Sequence, residues 1–516
     1  MDYHLVTRNI LDKWRSMYTK TPSQPPRVPF EQLNKEQKDI INIVQEQSKK
    51  SDKDFFASPV HLICYGQAGS GKSSVIDHLR YNLEQLQEDA LHPIFIICGP
   101  TGISAFNVQG RTIHNVFHVS RFGNDIFSTD ELRNIPQKVI DYFRNVKWIF
   151  YEEFSLIGLH LFHYMDRFLR KVLPEYKDFP FAARSLVLFG DSMQLPAIKD
   201  YPLYKPVNKI KESHLVSTAL FYRTFKPMMM SNISFRQQGE DSDQQLFRSL
   251  LHHLSHGKVT DLDLHLLRSR QRVNLTVEEQ REFSNAIYLF STNDSVRLHN
   301  RKQLRKHFTN IVIIENSIFT DDKLELAIGC PVLLNRNIIV EFGLCNGARG
   351  SVVDIVFETE ERAVTSSNIR RNKTVKYILV DFKNYTGTEF VETEKGKGVP
   401  IFRINEPFEY RVNGVYPMVS RFPLLLSYAL TIHRVQGLTL DRIVLTLGKR
   451  QMCSCLDYVA ISRIRSLKHL MIEDKQISKS RFQDKTYTRM KSQLVEEDRL
   501  NKLYLDGEQQ QPQNIE

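Results

Sequence analysis

The chain has 516 residues, with 70 Lys and Arg against 59 Asp and Glu and a formal charge of +11. That length accommodates two to four domains, and the basic balance favours a polyanionic partner. Six cysteines without a C-x-x-C pair argue against a zinc ribbon or a disulfide framework, and no apolar run approaches the roughly eighteen residues of a membrane span.

The N-terminus has no signal-peptide core, and Asp2 and Asp12 speak against a transit peptide. The expected setting is therefore intracellular and reducing, the nucleus rather than the mitochondrion if the source is eukaryotic, with no membrane partner. Residues 1–20 read as an amphipathic helix and Thr21 to Arg27 as a Pro-rich linker, so 1–32 forms an N-terminal segment. From 33 to 215, β-prone runs at Val60–Tyr65, Pro93–Cys98, Val146–Tyr151 and Ser185–Phe189 alternate with helical stretches. This alternation predicts a parallel sheet covered by helices. A polar, less periodic insert lies at about 115–145. A second α/β region is expected over 216–345 and 423–475, interrupted by a β-rich insertion at 346–422. The charged, Gln-rich tail 476–516 reads as a helix or a disordered end.

The most informative segment is Gly66-Gln67-Ala68-Gly69-Ser70-Gly71-Lys72-Ser73. It fits G-x-x-x-x-G-K-[ST], with a strand before it and a helix after it. Backbone N–H groups of such a loop converge on an anion, and the helix N-terminus adds positive potential. Lys72 is expected on the β and γ phosphates, and Ser73 on magnesium. ATP and Mg2+ are thus the predicted cofactors.

Three further strand ends carry polar chemistry. Val146–Tyr151 ends in Glu152-Glu153; one carboxylate suits a metal and its neighbour suits orienting an attacking water. Leu186–Phe189 leads into Gly190-Asp191-Ser192-Met193-Gln194, where Gln194 can sense the γ-phosphate. Gly99-Pro100-Thr101-Gly102 and Gly110-Arg111-Thr112-Ile113-His114 offer Thr101 and His114 to a nucleic-acid phosphate or sugar. Taken singly, each of these also reads as an ordinary turn or a solvent-facing charge.

In this order the elements resemble a superfamily 1B helicase, and later segments narrow the resemblance to the PIF family of DNA helicases, with RecD-like relatives. Leu33-Asn34-Lys35-Glu36-Gln37 is similar to the family's opening motif. Ser234-Phe235-Arg236-Gln237 resembles its arginine motif, and Gly343–Gly350 a turn before the β-rich insertion. Ser427–Leu440, containing Thr431-Ile432-His433 and Gln436-Gly437, is similar to the fifth motif, and Asp457–Arg463 to the last. Departures are Glu152 where the family usually has Asp, Ala197 in place of the second proline of Q-L-P-P, and Leu456-Asp457 where a small-residue turn is usual.

The resemblance implies two RecA-like domains closing on ATP. Gln37 would read adenine; Gly66 to Ser74 and Gly437 would hold nucleotide; Ser73 and Glu152 would hold the metal. Glu153 would position water, Gln194 would couple phosphate state to movement, and Arg236 and Arg463 would neutralise transition-state charge beside Lys72. Thr101, His114, Thr431 and His433 would meet DNA. The insert near 115–145 would supply a strand-splitting wedge and residues 346–422 a small β-barrel-like module. The implied activity is a monomeric motor moving 5′ to 3′ on single-stranded DNA and at DNA junctions. A DNA-binding P-loop protein with weak or no motor activity, or a superfamily 1 RNA helicase, stays open at this point.

Overall fold

The computed structural model describes residues 25–87, 92–119, 135–230, 236–237, 239, 241–315, 323–358, 374–387, 391–407, 418–448, 455–482 and 485–509. The chain forms two compact units, one running to Ser291 and resuming at Ile432, the other comprising Thr292–Thr431.

The first unit opens with helix α1 (Lys35–Ser48), whose N-terminus is closed by a capping box between Asn34 and Gln37. Strands β1 (His61–Tyr65), β2 (Phe95–Gly99), β3 (Arg111–Thr112), β4 (Trp148–Tyr151), β5 (Ser185–Gly190) and β6 (Lys226–Met229) form one sheet in the order β3-β2-β4-β5-β1-β6. Every pairing in it is parallel. Helices cover both faces, so β4 and β5 are buried along their whole length and read as unbroken apolar runs. Trp148, Ile149 and Phe150 are each 0% exposed, and each such burial contributes about 1.5–3 kcal/mol. Helix α2 (Lys72–Gln85) follows β1, α3 (Leu159–Val172) follows β4, and α4 (His214–Tyr222) precedes β6. Because the strands are parallel, their carboxyl ends share one edge. That edge gathers the turns after β1, β2, β4 and β5, where such folds place ligands.

Helix α5 (Ser242–His256) is capped by Asp241 and ends at Gly257 in the left-handed region, φ 65°. Strand β7 (Ile287–Phe290) begins a second parallel sheet. The chain then enters the other unit. There, helix α6 (Asn293–His307) precedes hairpin β8 (Val312–Glu315) and β9 (Lys323–Leu326). An antiparallel sheet follows, ordered β13-β14-β12-β11-β10-β17, from β10 (Pro331–Leu334), β11 (Arg349–Phe357), β12 (Val375–Phe382), β13 (Val391–Thr393), β14 (Gly396–Ile401) and β17 (Leu424–Leu426). Strands β15 (Ile404–Pro407) and β16 (Met418–Arg421) pair separately. Strand β18 (Ala429–Thr431) closes the unit, with Ala429 N donating to Asn300 Oδ1 on α6 at 2.7 Å.

Back in the first unit, β19 (Ile443–Leu445) pairs in parallel with β7 and with β20 (Leu470–Ile472). Helix α7 (Leu456–Ile461) lies between them in sequence, and α8 (Lys485–Gln509) ends the described chain.

Three regions differ from expectation. The first sheet does not end at 215: β6, at 226–229, pairs with β1, a run too short and too interrupted by Pro227 to show an alternation. The β-rich region starts at Val312 rather than 346, since three four-residue strands precede the Gly343–Gly350 turn. The insert near 115–145 contains a helix, Gln137–Arg144, whose Val139 and Phe143 join the core. Residues 120–134 of the expected wedge, and the expected helix at 1–20, lie outside the described residues. The tail is helical from 485 to 509, and its Leu500 is 0% exposed within the same core.

Candidate nucleotide site

The loop between β1 and α2 is built as its sequence predicts. Gly69 and Gly71 take φ of 92° and 83°, values that favour glycine. A Cβ on Gly66 would stand 2.9 Å from Ser70 Oγ and 3.0 Å from Met230 O, so the loop packs tightly on the chain after β6. Lys72 Nζ donates to Gly66 O at 2.8 Å, Gln67 O at 2.9 Å and Ser70 Oγ at 3.1 Å. Its ammonium is folded over the loop, its N–H groups committed to these three acceptors, from which an incoming phosphate would have to draw them.

Gln37 braces this loop from behind. It is 0% exposed; its Oε1 accepts from Asn34 N at 3.1 Å, and its Nε2 donates to Ser70 O at 3.3 Å. The carboxamide expected on adenine is here committed to the α1 cap and the P-loop backbone.

The acidic strand end lies alongside. Glu152 has its Oε2 buried without a partner. Loss of hydration and the neighbouring Glu153 push its carboxyl well above the usual range, while Lys72 and the Ser73 hydroxyl favour its charge. Ser73 itself is exposed. Glu153 is 8% exposed and sits at φ 54°, ψ 53°, a left-handed conformation that costs a non-glycine residue about 1–3 kcal/mol. Burial raises its pKa; Lys72 and Arg463 oppose the rise. Its Oε2 also lacks a partner. Gly437 faces it: a Cβ there would be 4.0 Å from Glu153 Oε1.

Two arginines from beyond β6 complete the charge cluster. Arg236 donates through Nε to Thr439 Oγ1 at 3.1 Å and through NH1 to Ser462 O at 2.9 Å. Burial, then the charge of Arg463, push its pKa down to about 9. Arg463 is 1% exposed and donates to Val459 O and Ser462 Oγ, each at 2.8 Å. Burial lowers its pKa, against the attraction of Glu153, Tyr458 and Asp191. Lys72, Arg236 and Arg463 thus interact with Glu152, Glu153 and Asp191 in one cleft.

Sequence reasoning passed over Asp191 and Tyr458. Asp191 accepts from Tyr458 OH at 2.8 Å and Met193 N at 2.9 Å, and Tyr458 OH in turn accepts from Ala68 N of the P-loop at 3.2 Å. The hydroxyl therefore links helix α7 to both phosphate-facing loops. The signal for Asp191 was present, since an acid directly after a buried parallel strand is what marked Glu152. Gln194 lies beside it: Nε2 reaches Asp191 Oδ2 at 3.4 Å and Oε1 is buried without a partner.

The residues expected on DNA lie on four separate elements. The Thr101 hydroxyl accepts from Ser104 N at 3.1 Å, capping the helix Gly102–Asn107, and His114 follows the short strand β3. Thr431 ends β18 in the other unit and is 8% exposed, so its side chain presents little surface. His433 is exposed in the turn Ile432–Val435.

A P-loop at the carboxyl edge of a parallel sheet, with a paired acid on the neighbouring strand and arginines supplied from beyond it, defines a P-loop protein with a RecA-like core. The PIF1-like helicase profile matches residues 32–264, and that of the DNA helicase Pif1 2B domain matches 309–355. Together they cover more than half the sequence, and the chain belongs to the PIF1-like helicase family.

It is 26% identical over 459 residues to ATP-dependent DNA helicase PIF1 of Danio rerio, covering 86% of this chain and 61% of that protein. It is 25% identical over 450 residues to ATP-dependent DNA helicase Pif1 of Bdellovibrio bacteriovorus, covering 83% of this chain and 87% of that one. The chain spans about three fifths of the length of its vertebrate relatives, 61% for Danio rerio and 64% for Mus musculus. The fold is similar to the crystal structure of Pif1 helicase from Candida albicans, with TM-score 0.64, 21% identity and coverage of 90% of this chain and 99% of that one. It is also similar to Bacteroides Pif1 bound to single-stranded DNA, with TM-score 0.63, 24% identity and coverage of 91% and 97%.

Proposed function

We propose that this chain is an ATP-dependent DNA helicase that translocates 5′ to 3′ on single-stranded DNA and unwinds duplex or junction DNA as a monomer. The observation that carries the reading is the convergence of Arg236 and Arg463 on the Lys72–Glu153 cleft, because those arginines come from segments beyond the P-loop sheet. Triphosphate would draw Lys72 from Gly66 O and Gln67 O and meet the P-loop N–H groups. Arg236 and Arg463 would stabilise charge that develops on the transferred phosphoryl group, tying turnover to the segments that carry them. Glu153 is the group to orient water, held in its strained conformation beside Gly437.

Magnesium fits the residues present: Glu152 offers a buried, unpartnered Oε2 and Ser73 an exposed hydroxyl. Bound there, the ion would neutralise phosphate charge. The relatives' names supply DNA as the substrate class, and the net charge of +11 suits it. Among the described residues no helix is long and apolar enough to cross a membrane, and Cys64, Cys98, Cys330 and Cys345 are buried free thiols, which suits a reducing compartment.

Strand displacement with tails of either polarity tests the reading. ATP-dependent unwinding of 5′-tailed duplex is expected; displacement confined to 3′-tailed duplex overturns the direction. A nucleotide-gated DNA clamp with slow turnover is the second reading, favoured by Glu152 in place of the family's shorter Asp. A single-turnover phosphate release assay with saturating single-stranded DNA separates the two.

A further inference from the structure

Helix α8 carries four polar residues on one face, at 493, 496, 497 and 501, each of which contacts a different part of the nucleotide domain. Gln493 is 2% exposed, and its Nε2 donates to Ser192 O at 2.9 Å and Gln194 O at 2.8 Å. Glu496 Oε1 accepts from Tyr222 OH at 2.9 Å. Glu497 pairs with His256 at 3.1 Å; the His256 ring lies against that of His252, tilted by 37° with centroids 4.1 Å apart, and His252 Nδ1 lies 3.0 Å from Gln67 Nε2 of the P-loop. Asn501 Oδ1 accepts from Tyr65 OH at 2.8 Å, one residue before the P-loop begins. Met490 and Leu500, on the same side, are both 0% exposed. The spacing is that of one helical face.

Gln493 makes the most pointed of these contacts. The two carbonyls it binds flank Met193, in the loop that carries Asp191 and Gln194. No other donor reaches them among the described residues. Gln194 Oε1 is meanwhile buried without a partner, while Asp191 interacts with the Lys72 charge and holds Tyr458. One amide therefore sets the backbone of the loop whose side chains must read the phosphate.

We propose that α8 is a working part of the nucleotide site and that Gln493 is a positioning residue for hydrolysis. It holds the Asp191–Gln194 loop in register with the P-loop, and the Glu497–His256–His252–Gln67 chain anchors the same helix on the P-loop itself. The inference rests on the ATPase reading above. Gln493 touches no phosphate, so its loss should misplace the loop without removing a nucleotide contact. That predicts a fall in kcat with ATP affinity retained, since small misplacements near the reacting group cost rate before they cost binding.

The test uses the full chain with Gln493→Leu, which keeps the side-chain volume but has no N–H, and Gln493→Asn, which keeps the amide on a shorter arm. DNA-stimulated ATP hydrolysis, thermal melting, and binding of ADP and of ADP with aluminium fluoride are measured for each. The expected result for Gln493→Leu is a kcat reduced roughly ten- to hundredfold with KM for ATP within about twofold. ADP affinity should be kept, and affinity for ADP with aluminium fluoride should fall by a factor similar to kcat. Gln493→Asn should fall between Leu and parent, and it carries the test if the Leu variant does not fold. Unchanged kcat in a folded variant, or equal loss of affinity for both ligands, overturns the positioning role while leaving the ATPase reading intact. No ATP hydrolysis by the parent chain overturns the ATPase reading and this inference with it.

Discussion

Replacing Glu152 by Gln should make the nucleotide-free protein more stable and the enzyme nearly inactive. Glu152 stands beside Glu153, its Oε2 has no partner, and the Lys72 charge that favours it also serves Glu153 and Asp191. An amide of the same shape removes one of the like charges and supplies an N–H next to Glu153, whose own Oε2 is unpaired. Relief of one poorly partnered carboxylate should stabilise by about 1–2 kcal/mol. The pH dependence follows from the sign of the shift. Glu152's folded pKa is raised, so the folded state binds its proton more tightly than the unfolded chain, and the parent loses stability as pH rises from the unfolded value through the folded one. The stabilisation by Gln should therefore be largest at pH 8 and fade as the parent carboxyl becomes protonated. Turnover should fall about 100-fold or more, because an amide is a poor magnesium ligand and gives less stabilisation where charge develops. Urea unfolding of the nucleotide-free protein at pH 6 and 8, alongside DNA-stimulated phosphate release, measures both. A variant less stable than the parent at pH 8, or one within tenfold of parental turnover, refutes the reasoning.

Lys72→Ala should reduce ATP hydrolysis by roughly 100-fold or more while single-stranded DNA binding is retained, since its partners are Gly66, Gln67 and Ser70; near-normal phosphate release would remove the P-loop assignment. Glu153→Gln should bind nucleotide and fail to hydrolyse it, read by filter binding against turnover, and a silent substitution would make the residue structural. Burial against Phe221 and Phe225 holds His61 at about 4 rather than 6.5, so the unfolded state takes up the proton first as pH falls. The protein should lose about 2 kcal/mol between pH 7.5 and 5 from this group alone. His61→Phe should flatten the pH dependence of urea stability by that amount, and an unchanged slope would refute it.

The sequence by itself determined the local chemistry. A P-loop is a contiguous backbone device, so Gly66 to Ser73 could be read directly with its strand and helix. Strands buried on both faces of a parallel sheet are unbroken apolar runs, which is why β1, β2, β4 and β5 were legible to within about two residues, and why Glu152 and Glu153 were found at a strand end. The short strands were not legible: β6 has four residues with a proline inside, and β8 to β10 have four each, too few for a period to stand out. Only the tertiary structure decided which distant groups share the cleft. Tyr458 lies 267 positions from Asp191, and Gln493 lies 299 from Gln194; no local pattern encodes such pairings, because they arise when separate helices pack on one sheet edge. The same packing turned Gln37 inward onto Ser70, since a carboxamide at a helix N-terminus satisfies whichever backbone groups the fold brings to it.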